Sequence, residues 1–316
     1  MAAAPPSPAL GPVTSPGNGD RVARRRKRHP LRALITLLVA ALLFSGGYAA
    51  WHWLRDGPVT ITPRCIAGTS GNAAAIGVEQ AGNAALIGAI GIERGLPARA
   101  VTIALATAMQ ESKIRNLDHG DRDSLGLFQQ RPSQGWGSPE ELMDPHYATN
   151  AFYDMLITIE GYEQMEVTDA AQQVQRSAFP TAYAQHERLA RLFASGITGY
   201  SPATVTCHLR PVTDEDAAVA LHRVRQRLAK DFPSVSASDG EGRLLLDTSG
   251  LPGGDQQRHG WAVATWAVLT ASETGVSRVT VDNKVWDRSA GDQAHWQDLP
   301  ADDPAGGDPA GVVGIN

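Results

Sequence analysis

The residue with the most chemistry to offer is Glu111, which closes an apolar run. Residues 98–110 hold Val101, Ile103, Ala104, Leu105, Ala108 and Met109 and contain no Gly or Pro. A carboxylate at the exit of such a run is costly unless it is paired, neutralised or used. Apolar surroundings raise a carboxyl pKa, which is what a general acid needs. A salt bridge to nearby Arg115 or Arg122 would make Glu111 structural instead. Asp118, Asp121 and Asp123 follow in residues 116–126. They lack the spacing and the closing Glu of a calcium loop, so turn chemistry and capping explain them better. One of them could instead stand near Glu111 as a second carboxylate.

Glu111-Ser112 at the end of a buried helix, then Ser124-Leu125-Gly126-Leu127-Phe128-Gln129, resembles the lytic transglycosylases and goose-type lysozymes. Residues 126–137, GLFQQRPSQGWG, look closer still to a subgroup of actinobacterial envelope proteins with a lysozyme-like domain. The resemblance covers about residues 61–207. It implies that Glu111 is the single catalytic acid and that the segment ending at Gln129 lines a sugar cleft. Phe128 stands where the family usually has Met. A Tyr-Asn-Ala-Gly segment of the family is replaced here by Val174-Gln175-Arg176-Ser177, with Gln175 in the place of the Asn. The residues expected against substrate are therefore Ser124, Gln129, Gln130, Trp136, Gln175 and Tyr183. Gln129, Gln130 and Gln134 can donate and accept, which suits hydroxyl and N-acetyl groups, or equally loop backbone. Trp136 sits between glycines and offers a flat face to a sugar if exposed; a buried Trp is the more usual finding. His119, His146 and His186 are given no role.

These side chains need elements to hold them. Residues 78–94 read as a helix stopped by Gly95. Leu96-Pro97 then turns into the Glu111 helix, so the two form an antiparallel hairpin. Asp144-Pro145 opens another helix, and Thr168 caps a segment 169–176 that Pro180 ends. Residues 181–195 form the last helix of this region, from which Tyr183 reaches back toward the cleft.

The amino-terminal end has a different composition. Residues 1–20 are Ala, Pro, Ser and Gly with almost no large apolar side chain, so they are expected to be disordered. Arg21, Arg24, Arg25, Arg26, Lys27, Arg28 and Arg32 precede an apolar stretch at 33–54. That stretch is long enough to cross a bilayer. The basic cluster holds residues 1–32 in the cytoplasm, and Tyr48, Trp51 and Trp53 suit the outer interface. A cleaved signal peptide is the rival, because 45–50 are mostly small; the long basic leader favours an anchor. The cluster also attracts anionic lipid heads, and the net charge of −5 shows no nucleic-acid footprint. The bulk of the chain is thus expected outside the cell membrane. There Cys65 and Cys207, the two cysteines of the chain, can pair. They lack the ligand spacing for zinc.

After Pro211, residues 211–298 read as a small separate α/β domain of unknown role. It has helices at 213–230 and 256–272, a strand at 243–247 and a hairpin around Asp282-Asn283. It faintly resembles accessory domains of actinobacterial wall proteins. Residues 299–316 are expected to be a disordered tail. The expected fold class is α+β: one transmembrane helix, a mainly α lysozyme-like domain, then the small α/β domain. The resemblance implies cleavage of peptidoglycan glycan strands with no metal or cofactor. A binding or scaffold protein of the envelope with the same fold is the alternative.

Overall fold

A computed structural model describes residues 30–55, 61–177, 181–212, 217–240 and 242–316. The chain falls into two compact units, Met1–Val59 and Thr60–Asn316. The first holds helix α1 (Pro30–Arg55). Its segment Leu34–His52 is long and apolar enough to cross a membrane. Leu37, Leu42, Leu43 and Phe44 expose their side chains, and Tyr48 and Trp51 follow them. The expected disordered segment 1–20 and the arginines before residue 30 lie outside the described residues.

The second unit opens on a hairpin of β1 (Arg64–Thr69) and β2 (Asn72–Gly77). The later strand β3 (Val205–His208) pairs antiparallel with the other edge of β1. That register sets Cys65 opposite Cys207, and the two form a disulfide. Sequence reading found none of these three strands, because all are short and β1 and β2 are rich in Ala and Gly.

Helix α2 (Val78–Glu93) runs directly out of β2, and α3 (Ala98–Ser112) returns beside it through the expected turn. A short α4 (Pro139–Leu142) and α5 (Pro145–Leu156) follow, the latter capped by Asp144. Next come α6 (Val167–Gln175) and α7 (Glu187–Ile197). Helix α6 begins before Thr168, so the expected cap lies inside the first turn. The expected helix at 181–195 is split. Tyr183 precedes a 3-10 turn at Ala184–His186, and α7 starts only at Glu187. Helix α3 is central. It packs on α2, α5, α6 and α7, and all its residues from Ala100 to Met109 are buried. A helix apolar on every side needs such a ring of partners.

The carboxy-terminal part holds α8 (Ala217–Asp231), β4 (Ser236–Asp239), β5 (Leu244–Asp247) and α9 (Gln256–Thr274). Strands β6 (Arg278–Val281), β7 (Lys284–Asp287), β8 (Gln297–Asp298) and β9 (Val312–Ile315) follow. They make one six-stranded sheet in the order β4-β5-β9-β6-β7-β8, with every pairing antiparallel. The hairpin expected at Asp282-Asn283 is present, and both turn residues take positive φ, as a two-residue turn between twisted strands requires.

Three expectations are corrected here. The sheet of the 211–298 region is antiparallel, so that region is α+β rather than α/β. It is also not a separate domain. Helix α9 is buried on nearly all sides, packing on the sheet with one face and on α2 and α7 with another. Trp286 and Trp296 donate to Thr206 Oγ1 and the Val205 carbonyl of β3, at 3.1 and 2.8 Å. Pro211 lies in an irregular stretch after β3, but an all-round apolar helix cannot be covered from one side only. The third correction concerns 299–316. Polar composition suggested a disordered tail, yet β9 lies between β5 and β6, with Val313 and Ile315 fully buried. Ion pairs from Arg243 to Asp308 and from Arg278 to Asp303 fasten the loop that leads to it.

Candidate active site

Helix α3 ends abruptly, and its ending places Glu111. Lys113 and Ile114 both adopt left-handed backbone, with φ of 58° and 54°. Non-glycine residues hold that conformation only where their surroundings over-determine it. Here Gln80 and Asn83 of α2 donate to the carbonyls of Lys113 and Ile114, at 2.7 and 2.9 Å. The Ile114 side chain is buried, and its N–H bonds to the Ala108 carbonyl. Ser112 Oγ donates to the Leu127 carbonyl at 2.6 Å, which ties the following loop back to the helix end.

Glu111 is half-buried. The Tyr183 hydroxyl donates to its Oε1 at 2.6 Å. Burial pushes the Glu111 carboxyl above its ordinary value. Hydrogen bonds from Tyr183 and Gln175 oppose that shift without cancelling it. Burial, then the nearby Glu111 charge, pushes the Tyr183 phenol up, so it stays a donor. Neither candidate arginine holds Glu111. Arg115 faces Glu79 at 3.6 Å and Arg122 faces Asp121 at 3.9 Å. Among the described residues Glu111 has no salt-bridge partner.

The loop after α3 is held by two short antiparallel bridges, Leu117 with Gly126 and Leu125 with Gln130. Gly126 has φ of 77°, and a Cβ there would lie 2.3 Å from the Leu142 carbonyl oxygen, so only glycine fits. Phe128 turns its ring inward, stacked on Phe152 at 4.5 Å, and leaves its backbone to the site. Gln175 donates to the Phe128 carbonyl at 2.7 Å. Arg131 and the Ser133 backbone both bond the Asp123 carboxylate, at 2.7 and 2.8 Å. Ser133 first, then Arg131, hold the Asp123 carboxyl well below its ordinary value. Asp123 is thus a loop fastener, in keeping with the turn-chemistry reading.

The structure divides the expected substrate residues. Tyr183 and Gln175 come together at Glu111. Tyr183 is fully buried, so it acts on Glu111 through its hydroxyl and offers no face to a ligand. Ser124 and Gln130 are corrected from substrate-facing to structural. Ser124 is buried and donates back to the Asp121 carbonyl at 2.7 Å. Gln130, also buried, donates to the Ala148 carbonyl at 3.2 Å. Gln129 remains half-exposed with φ of 48° and donates to the His119 carbonyl. Trp136 is half-buried against the core, and the Tyr147 hydroxyl donates to its carbonyl. Sequence reading missed Gln110, which accepts from His186 Nε2 at 2.9 Å and Gln185 Nε2 at 3.1 Å. That contact joins the end of α3 to the start of α7. Its one sequence signal was adjacency to Glu111.

The arrangement can hold a proton on Glu111 at the edge of a polar loop and release it to a group placed there. No family model matches the chain, and no curated protein matches it.

Proposed function

We propose that the protein is a membrane-anchored enzyme that cleaves the glycan strand of peptidoglycan, with a lysozyme-like arrangement around Glu111. The observation that carries this reading is the environment of Glu111. Its carboxyl is raised by burial, free of any cation among the described residues, and met by a phenol donor. Such a group suits protonation of a glycosidic oxygen as the sugar leaves. The same carboxylate, now charged and steadied by Tyr183 and Gln175, then takes a proton from the attacking hydroxyl. An internal 6-hydroxyl of the muramyl residue gives a 1,6-anhydro product; water gives a reducing end. A cleft built by the 117–130 loop, with Gln129 at its edge, would hold the strand.

The apolar helix α1 supports an anchor, and the disulfide supports a location outside the cytoplasm. A scaffold reading has one observation in its favour. Gln175, where the family has Asn, uses its amide on the Phe128 carbonyl. Digestion of purified peptidoglycan, with mass spectrometry of the products, separates the two readings. The expected outcome is anhydro or reducing muropeptides from the wild type, and a fall of about 10²-fold or more with Glu111→Gln. Binding without any product would favour the scaffold.

A further inference from the structure

A second pocket, of about 610 Å³, lies at the other end of α3. Its wall includes Thr102, nine residues before Glu111 and so about 14 Å away along the helix axis. The β1–β2 turn, the start of α3, the end of α7 and the loop before β3 build it. Two arginines face it, and they differ. Arg191 is already paired with Glu187 of its own helix. Arg99 makes one hydrogen bond among the described residues, to the Met165 carbonyl. Its Nε is buried without a partner. The pocket therefore presents about one uncompensated positive charge, on a planar fork suited to a carboxylate.

Four of the hydroxyls around it are tied into the protein. Thr102 donates to the Ala98 carbonyl and Thr204 to the Ser201 carbonyl, at 3.0 and 2.8 Å. Ser195 and Ser201 bond each other at 2.6 Å. Three of these four protons are used within the protein, because the serine pair shares one bond, while lone pairs remain to accept from a ligand. A ligand matching this wall carries several hydroxyl donors and one acid. Tyr200, 61% exposed, stands at the rim with Arg258 5.0 Å from its ring centre. An exposed aromatic ring offers a flat apolar face of the kind sugars stack upon. A neighbouring pocket that shares Ala98 and Tyr200 is lined by Glu163, whose charge disfavours a second acid there.

We infer that this pocket binds a carboxylate-bearing sugar residue, through Arg99, the surrounding hydroxyl oxygens and Tyr200. A doubly charged phosphate fits less well, because Arg191 is neutralised by Glu187. The inference does not rest on Glu111 being catalytic.

The test uses the full chain in detergent, carrying Glu111→Gln so that no probe is turned over. Ligand-observed NMR titration would compare methyl β-glucuronide with methyl β-glucoside, which differ by the carboxylate. N-acetylmuramic acid against N-acetylglucosamine forms a second pair, with the acid on a lactyl arm. The acid of at least one pair should bind about tenfold or more tighter than its neutral partner. Whichever acid does so names the source. Arg99→Gln and Tyr200→Ala should each remove that preference or weaken binding about tenfold, while Arg99→Lys recovers part of it. Tyr183→Phe, at the other site, should leave it unchanged. Equal binding of acid and neutral sugar overturns the inference, as does binding indifferent to both Arg99→Gln and Tyr200→Ala. Tyr200 is exposed, so its variant keeps the test open if Arg99→Gln fails to fold.

Discussion

Glu111 carries a pH signature that separates a working acid from a structural carboxylate. Its folded-state pKa lies above the ordinary value of 4.5 because burial favours the neutral form. The folded protein therefore binds this proton more tightly than the unfolded chain does. Its contribution to stability is fully present below pH 4.5 and is lost as pH rises through the raised value. Glu111→Gln mimics the protonated side chain at every pH. Its melting temperature should match the wild type in acid and exceed it at neutral pH, with the gap opening above pH 4.5. Paired melting curves from pH 4 to 8 would check this. A variant less stable than wild type at neutral pH would mean that the carboxylate is paired after all. Tyr183 is the neighbour that tunes the value, and only its hydroxyl takes part.

At the scale of elements, one buried carboxylate joins three helices. Asp231, at the end of α8, is almost fully buried. Its Oδ1 accepts from His146 Nε2 of α5 at 2.8 Å. Its Oδ2 accepts from Arg227 Nε at 2.6 Å and from Trp266 Nε1 of α9 at 2.8 Å. Burial alone would raise this carboxyl, but the His146 hydrogen bond, the Arg227 charge and the Trp266 hydrogen bond outweigh it and lower it. A lowered pKa means that the stabilisation is present above the ordinary 3.8 and is lost as pH falls through the folded value. Asp231→Ala takes the acceptor from the buried Trp266 indole N–H and from His146 and leaves Arg227 only Glu273 and the Gly82 carbonyl, so it should cost about 2 to 4 kcal/mol by urea unfolding. Glu273→Ala removes an exposed partner of the same arginine and should cost under about 1 kcal/mol. Similar losses from both would show that Asp231 is not the centre of this junction.

At the scale of the whole Thr60–Asn316 unit, the chain ends are structural. The Cys65–Cys207 disulfide closes a loop 142 residues long, which the chain-entropy model values at about 4 to 5 kcal/mol. The last strand is the other tie. Without β9, strands β5 and β6 have no partner between them, and the sheet parts into β4-β5 and β6-β7-β8. A chain stopped after residue 298 should lose its cooperative melt and become readily proteolysed. Were 299–316 a dispensable tail, the truncated protein would melt like the full chain.

Local pattern was enough for the elements that carry their own signals. Helix α2 has its apolar stripe and Gly95 stop, α3 its unbroken apolar run, and the β6–β7 hairpin its Asp282-Asn283 turn. The amino acids alone also singled out Glu111, because a carboxylate at the end of an apolar helix is a conflict legible in one dimension. Other features depend on partners distant in sequence. Strand β3 gains its identity by pairing with β1 across more than a hundred residues, and the β1–β2 hairpin has little periodicity to announce it. Strand β9 is made a strand by the vacancy between β5 and β6, which outweighs its Gly- and Pro-rich approach. The structural duties of Ser124 and Gln130 were equally hidden, since a short polar side chain serves loop backbone or ligand with the same atoms. Residue types and spacing determined which group could donate a proton. Tertiary structure alone decided that its neighbours are Tyr183 and Gln175 rather than Arg115 or Arg122, because side chains that meet in space are chosen by how helices pack.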